Sequence, residues 1–378
     1  MQTKILFNDT MELTALSEKY AVSNPLKKSG SGGQFEKKAI NYLSNIFKSK
    51  NILLTPSCTA SLEISALLLD LKPQDEVIMP SNTFCSTANA VALRGATPVF
   101  VDCDDKTLNI DPEKVGNAIT SKTKSIWVVN YAGSSCDLDQ IVKIASDFKL
   151  SIIEDAAQSI GSEYKGNPLG LIGVASTVSF HSTKNIFCGE GGALIVNDPR
   201  YLEKAEIIRE KGTNRQMFMD NKVQKYNWLE LGSSYVLSEN SCRTLCSQLE
   251  IFDEINLARK NAFDYYYTIS EELEKSGYLR RQVVPDYCHN NGHMFFVQLA
   301  DEIDRNQVIK KMRAQNIELT SHYVPLHSSP AGKRYGRCGS DMTITNKASK
   351  SLLRLPLYFG ISATKQEKVI EKLRSCIV

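Results

Sequence analysis

Lys184 stands in the run Ser179-Phe180-His181-Ser182-Thr183-Lys184-Asn185, and Asp155 in Ile152-Ile153-Glu154-Asp155-Ala156-Ala157-Gln158. A lysine amine condenses with an aldehyde to a Schiff base once desolvation leaves part of it neutral. A carboxylate facing a pyridine nitrogen keeps that nitrogen protonated, so the ring can accept electrons from a carbanion forming beside it. A lysine at a strand-to-loop junction and a carboxylate ending an earlier apolar strand are together what a pyridoxal 5'-phosphate enzyme needs. Alone, Lys184 could equally be a surface lysine near a hairpin. Beside Asp155, in a run otherwise free of charge, it is read as the Schiff-base lysine.

Other residues fit a cofactor of that kind. Ser57-Cys58-Thr59-Ala60-Ser61 is a turn of small and hydroxyl residues opening an apolar helix. Free N–H groups and the positive helix end make such a turn an anion site, suited to a phosphate. Ser57 or Thr59 can serve as N-cap at the same time. Phe84, in Pro80-Ser81-Asn82-Thr83-Phe84, follows a strand end and could stack on a cofactor ring or fill the core. Ala156 and Ala157 leave room for a flat ligand, and Gln158 can donate to a ring oxygen.

These residues need a frame. From about residue 50, short apolar runs alternate with helical stretches: Asn51 to Leu54, Glu76 to Met79, Pro98 to Val101, Ser125 to Val129, Ser151 to Glu154, Ser176 to Phe180 and Ala193 to Val196. Helical periodicity predicts helices over Ala60 to Leu71 and Leu138 to Phe148. Near-continuously apolar strands alternating with helices indicate a mostly parallel sheet covered on both faces. Ligands of such sheets sit beyond the carboxyl ends of the strands, where the polar clusters Ser81 to Phe84 and Asp155 to Gln158 fall. After about residue 235 the pattern changes. Glu239 to Ala258 is expected as one long helix, and Met294 to Leu299 as a strand before a helix over 304–315, in a smaller α+β domain.

Composition bounds the function. The 378 residues suggest roughly two to three domains and carry 45 Lys plus Arg against 42 Asp plus Glu, a net charge of +3. No basic stripe with interleaved aromatics appears, which argues against a nucleic-acid partner. No apolar run approaches the roughly 20 residues that span a bilayer, and the first residues lack the apolar core of a signal peptide. The expectation is a cytoplasmic protein with no membrane association. Ten cysteines are scattered without a Cys-x-x-Cys pair; Cys242 and Cys246, on one helical face, read as small buried hydrophobes. His289 and His293 bracket the turn Asn290-Asn291-Gly292, and no metal site is expected there.

The motifs Ser179 to Asn185, Glu154-Asp155-Ala156-Ala157-Gln158 and Gly189-Glu190-Gly191-Gly192 resemble those of the DegT/DnrJ/EryC1/StrS sugar aminotransferases, and the resemblance extends over essentially the whole chain. It implies an α/β fold of the fold-type I pyridoxal-phosphate class, with a mostly parallel seven-stranded sheet in a large domain (1–247, with an N-terminal arm) and a smaller α+β domain (248–378). One branch of that family carries histidine at the lysine position and acts as a dehydratase, so Lys184 points to transamination. Leu54-Thr55-Pro56-Ser57-Cys58-Thr59-Ala60-Ser61, Arg209 to Arg215 and Gly232-Ser233-Ser234-Tyr235 resemble the branch that makes dTDP-4-amino-4,6-dideoxygalactose for enterobacterial surface polysaccharide.

Residue by residue, the resemblance implies that Lys184 carries the cofactor and shuttles the proton, that Asp155 pairs with the pyridine nitrogen, and that Gln158 contacts the 3-oxygen. Cys58, Thr59 and Ser179 would hold the phosphate, and Phe84 would stack on the ring. The family forms homodimers with the active site completed across the interface; Ser234 stands where many members place an asparagine that reaches the neighbouring phosphate. L-Glutamate would reduce the pyridoxal form to pyridoxamine 5'-phosphate, and a nucleotide-linked ketosugar would take the amine at C4. Tyr323 and His327, in His322-Tyr323-Val324-Pro325-Leu326-His327, are candidate sugar contacts or parts of a strand-to-turn junction. Lys211 and Arg215 could meet a diphosphate or form a solvated helix end, and Gly30-Ser31-Gly32-Gly33 could line the nucleotide site or be a plain turn. A regulator that binds the cofactor without turnover, and an α/β binding module with no cofactor, are the rivals from other classes.

Overall fold

A computed structural model describes residues 4–26 and 32–378. In chain order its first nine strands are β1 (Ile52–Thr55), β2 (Glu76–Pro80), β3 (Thr97–Val101), β4 (Thr123–Val129), β5 (Ser151–Asp155), β6 (Glu163–Tyr164), β7 (Asn167–Pro168), β8 (Ala175–Ser179) and β9 (Gly192–Val196). Five follow: β10 (Leu279–Arg281), β11 (Cys288–His289), β12 (Phe295–Leu299), β13 (Arg337–Cys338) and β14 (Leu352–Leu355). The main sheet runs β1-β9-β8-β5-β4-β2-β3-β13. Only β9 lies antiparallel to its neighbours. Strands β2, β8 and β9 are buried along their whole length, as a sheet covered on both faces requires.

The sheet has the expected mostly parallel α/β architecture, with an eighth, two-residue strand added at its edge. That strand, β13, comes from the C-terminal part of the chain and is fastened by Arg337, whose Nε and Nη2 donate to the two carboxylate oxygens of Glu76 at 2.8 and 2.6 Å. Two residues are too few to carry a periodic signal, so the sequence shows no strand there.

A second, three-stranded antiparallel sheet, β10-β12-β14, carries its own apolar core with helices Phe252–Ile269, Arg305–Ala314 and Ala363–Ile377. Ile5 joins this core and pairs with Ile317. The helix expected over Glu239 to Ala258 breaks: Glu239–Leu249 and Phe252–Ile269 are separate. Their apolar residues face different cores. Leu245 and Leu249 pack with the N-terminal helix Gln34–Phe47, whereas Phe263 and Tyr266 pack against the second sheet. Cys242 and Cys246 are buried in the first of these cores. Of the Gly30 to Gly33 turn, Gly30 and Ser31 lie outside the described residues, and Gly33 directly precedes the helix Gln34–Phe47.

Candidate active site

Strands β2, β4, β5 and β8 are mutually aligned, and their last residues (Pro80, Val129, Asp155 and Ser179) bring four loops to one edge of the sheet. A cavity of about 460 Å³ opens there. Its lining includes Cys58, Thr59, Phe84, Asp155, Gln158, Ser179, Lys184 and Tyr323, so eight of the twelve residues singled out by the sequence share one space. Ser234, Lys211, Arg215 and His327 are not among its lining residues.

Helix Cys58–Leu68 begins at this edge. Ser57 is its N-cap, with Oγ accepting from the Ala60 N–H at 3.1 Å. The N–H groups of Cys58 and Thr59 are left without an intrahelical acceptor, as in any first turn. Thr59 Oγ1 and Ser86 Oγ lie 2.8 Å apart beside them. The residue at Gly192 must be small: a Cβ there would sit 2.5 Å from the Cys58 nitrogen. The cradle is built from backbone donors and hydroxyls, which suits an anion.

Asp155 is 5% exposed. Its Oδ2 accepts from Thr87 Oγ1 at 2.9 Å and its Oδ1 from the Ala157 N–H at 3.2 Å. Burial raises its pKa above the ordinary carboxylate value, while the hydrogen bonds from Thr87 and Ala157 and the charge of Lys184 work against that rise. A carboxylate in such a position is incompletely compensated and favours a cationic partner.

Lys184 lies in the connection between β8 and β9. The backbone there is pinned by Ser182 N–H to Gly189 O and Lys184 N–H to His181 O, both 2.9 Å. The next residue, Asn185, bonds the Asn291 carbonyl and the His293 ring, tying the loop to the second half of the chain. Among the described residues the Lys184 amine has no hydrogen-bond partner. Burial lowers its pKa, Cys58 and Asp155 pull it up, and Arg354 pushes it further down. That balance favours a partly neutral amine, the nucleophilic form.

Gln158 crosses the cavity wall: Oε1 accepts from the Ala132 N–H at 2.7 Å and Nε2 donates to the Tyr323 hydroxyl at 3.1 Å. Phe84 is 58% exposed, with its ring 6.4 Å from that of Tyr323. An aromatic face left open inside a cavity offers a stacking surface.

The remaining sequence candidates lie elsewhere. His327 is fastened by Nδ1 to Ser81 Oγ at 2.7 Å. Lys211 and Arg215 both reach the Glu210 carboxylate, at 3.3 and 3.5 Å, and Ser234 is exposed in the same surface segment. Sequence reasoning missed Thr87, Phe7, Asn8, His322, Arg259 and Arg354. Arg354 left one signal, a cation inside the apolar run Leu352 to Leu357.

A mostly parallel sheet with a lysine and a buried aspartate at its carboxyl edge defines the fold-type I class of pyridoxal-phosphate enzymes. The chain belongs to the DegT/DnrJ/EryC1/StrS aminotransferase family, whose model matches residues 12–374. It is 31% identical over 351 residues to GDP-perosamine synthase of Caulobacter vibrioides, covering 91% of this chain and 90% of that protein. It is 30% identical over 356 residues to the spore coat polysaccharide biosynthesis protein SpsC of Bacillus subtilis, covering 91% and 89%. Among solved structures, S. venezuelae DesV superimposes with a TM-score of 0.87 at 26% identity over 99% of this chain and 98% of that one. The protein is thus a pyridoxal-phosphate-dependent sugar aminotransferase.

Proposed function

We propose that the chain moves the amino group of L-glutamate to C4 of dTDP-4-keto-6-deoxy-D-glucose, giving dTDP-4-amino-4,6-dideoxy-D-galactose for surface polysaccharide. The observation that carries this reading is a single cavity containing Lys184, the buried Asp155 and a helix start with unfilled amides. The residues present fit pyridoxal 5'-phosphate. Its protonated ring nitrogen would supply the cation that Asp155 lacks, and its phosphate the acceptor for the amides of Cys58 and Thr59.

Bound there, the cofactor supplies the electron sink for proton removal at the amine-bearing carbon. Lys184 Nζ would hold it, and the same amine would carry a proton to and from the substrate carbon. Asp155 would keep a proton on the ring nitrogen. Gln158 Nε2 has a second hydrogen free to reach the 3-oxygen, and Phe84 offers a ring face. Ser179 and Thr59 add hydroxyls to the phosphate cradle. Tyr323 is assigned to the sugar side; His327, which is not in the cavity lining, is not. Residues 1–247 would form the cofactor domain and 248–378 the domain packed against it.

The reading includes a homodimer. Phe218, Met219, Tyr226, Trp228, Leu229 and Leu231 are all exposed in one stretch, and a second copy is the occupant this reading gives them. A second copy covering it would bring Ser234, and with it Lys211 and Arg215, toward the neighbour's phosphate and diphosphate. The proposed setting is the cytoplasm.

A second reading keeps the chemistry and changes the nucleotide, because the Caulobacter relative is a synthase of GDP-perosamine. The deciding experiment combines the protein, pyridoxal phosphate, glutamate and the dTDP ketosugar, with a proton spectrum of the product. A small H3–H4 coupling means an axial amine and supports the galacto product. A large coupling means an equatorial amine and overturns it. No aminated dTDP sugar, with turnover of the GDP ketosugar, selects the second reading.

A further inference from the structure

Three histidines line the cavity, and their hydrogen bonds fix which ring nitrogen of each carries the proton. His181 Nδ1 accepts the Thr183 N–H at 3.3 Å, so in the neutral ring the hydrogen sits on Nε2, which faces the Glu190 carboxylate at 3.6 Å. His322 Nε2 accepts from Arg354 Nη1, a group that can only donate, so its hydrogen sits on Nδ1. Each of these two rings has spent its lone pair. His293 is arranged in the opposite sense.

His293 stands two residues before β12 and is 5% exposed. Its tautomer is set by main-chain carbonyls, which only accept. Asn291 Nδ2 donates to the carbonyls of Gln158 and Ile160 at 3.0 and 2.9 Å, leaving Asn291 Oδ1 to take the His293 N–H at 3.0 Å. Asn185 Nδ2 donates to the Asn291 carbonyl at 3.0 Å, so Asn185 Oδ1 is the atom that faces His293 Nδ1 at 2.9 Å. An amide oxygen accepts, and His293 Nδ1 therefore carries the hydrogen. Nε2 keeps its lone pair and meets no donor among the described residues. The main chain holds the ring in place: Arg259 Nη2 donates to the His293 carbonyl at 2.8 Å, and a Cβ on Gly292 would lie 2.5 Å from the Arg259 carbonyl oxygen. Burial and the charges of Lys184, Arg354 and Arg259 hold the ring's pKa well below 6.5, so the lone pair stays free of a proton. His289, four residues earlier, is exposed on β11 and takes no part.

Resting on the ketosugar reading, we propose that His293 Nε2 accepts the hydroxyl on the sugar carbon next to the reacting ketone, and so selects which ketosugars are aminated. An ammonium group is a poor partner for this lone pair, because Lys184, Arg259 and Arg354 would repel a further cation. Glutamate offers an ammonium group and no hydroxyl. The ketosugar offers neutral hydroxyls. Its ketone must lie against Lys184, and Asn185, the next residue, holds His293, so the hydroxyl that reaches Nε2 is one close to the ketone. In a 4-keto-6-deoxy sugar, C5 bears a methyl group and the ring oxygen, neither of which donates. C3 bears a hydroxyl. A buried acceptor built for that hydroxyl rejects an analogue that lacks it, because the acceptor is then left unpaired.

The test pairs two sugars with two proteins. Pyridoxamine-loaded wild type and His293→Phe are mixed with the 4-keto-6-deoxy sugar nucleotide and with its 3-deoxy counterpart, and the return of the cofactor's visible absorbance is followed. Wild type should favour the 3-hydroxy sugar by roughly tenfold in kcat/KM, the worth of one neutral hydrogen bond, and in His293→Phe the preference should fall to near unity. His293→Gln, whose Oε1 keeps an acceptor, should retain most of it. The ratio within each protein cancels any general loss of activity. Histidine-labelled protein gives a readout independent of turnover. Nitrogen NMR should show His293, identified among the five histidines by its absence from His293→Gln, as the Nδ1–H tautomer. The same preference in wild type and His293→Phe, no preference in wild type, or an Nε2–H tautomer overturns the proposal. So does a loss confined to the glutamate half-reaction, which would place His293 on the donor side. If His293→Phe does not fold, the wild-type preference and the tautomer decide. Failure to aminate the 4-ketosugar of either dTDP or GDP, in a protein that shows the Nδ1–H tautomer and reacts with glutamate, refutes the substrate reading itself, a distinct outcome.

Discussion

The cavity at the carboxyl edge of the sheet and the surface segment from Lys211 to Tyr235 were both expected to serve one site, and the chain treats them in opposite ways. In the cavity, Asp155 is held by Thr87 and Ala157, Gln158 by Ala132 and Tyr323, and the Lys184 loop through Asn185 by Asn291 and His293. In the segment, Gly212 and Gly232 fold the chain back on itself and Glu210 gathers Lys211 and Arg215, but the large side chains face solvent, Trp228 at 75% exposure. A preorganised cavity can bind a cofactor by itself. An exposed aromatic stretch acquires a role when a second surface covers it.

The sharpest break in that contrast is Lys184→Ala. It removes the nucleophile and proton carrier while leaving the cradle, so turnover should fall by roughly 10²–10⁴-fold or more. The visible absorbance of the covalently held cofactor should vanish, read by spectrophotometry. Residual turnover near wild type would remove Lys184 from the mechanism.

Asp155→Asn comes next. Removing one partner of a buried charged pair costs about 3–5 kcal/mol, so cofactor affinity should drop by roughly two to four orders of magnitude, measured by equilibrium titration. The effect has a pH signature. Lys184 captures the cofactor as the neutral amine, so the capture rate of cofactor-free protein should rise with pH, with a midpoint below 10.5 because burial lowers the lysine pKa. The Asp155 charge raises that pKa, so the asparagine variant should shift the midpoint further down. On the acid side, burial raises Asp155 above 3.8; affinity should therefore fail on acidification at a higher pH than for an exposed aspartate. A midpoint that moves up in Asp155→Asn contradicts this electrostatic account.

Trp228→Glu addresses the other region. Burying a charge at the centre of an interface should cost about 2–4 kcal/mol of association, enough to give monomers at low micromolar concentration by light scattering. The cavity residues are untouched, so the variant should still capture cofactor. An unchanged dimer would mean that the segment lies outside the interface.

The same contrast explains what was legible in the sequence. Lys184, Asp155, Gln158, Cys58 and Thr59 announce themselves because each sits at a strand end or helix start where local pattern fixes the geometry. The parallel sheet follows from apolar runs at regular spacing. Arg354 does not announce itself: a cation in a short strand usually faces water, and only the pairing of β14 with β12 and the placement of Phe7 and His322 make it part of a cavity wall. Thr87 is hidden in the helix Cys85–Ala92, where a threonine has many ordinary uses. Strand β13 and the break after Leu249 depend on partners more than a hundred residues away, Glu76 for the first and the N-terminal helix for the second. Such long-range choices leave no local trace.

Ser234→Ala is the smallest change and the most specific test of how the two regions meet. Within one chain Ser234 is exposed, and its backbone bridges Glu210 in a short antiparallel contact. Removing its hydroxyl should leave the thermal stability of the protein unchanged, because among the described residues its side chain makes no hydrogen bond. If a second copy delivers that hydroxyl to the phosphate cradle, the variant loses one hydrogen bond to an anion, about 1.5–3 kcal/mol when undiminished. Serine reaches less far than asparagine, so the lower end is expected, roughly a tenfold rise in cofactor Kd. Ser234→Asn should restore or exceed wild-type affinity, since the longer amide spans the same gap. In Trp228→Glu monomers the serine-to-alanine change should have no effect at all, because there is then no neighbour for the hydroxyl to reach. An equal loss in monomer and dimer would instead mean that Ser234 acts on its own chain.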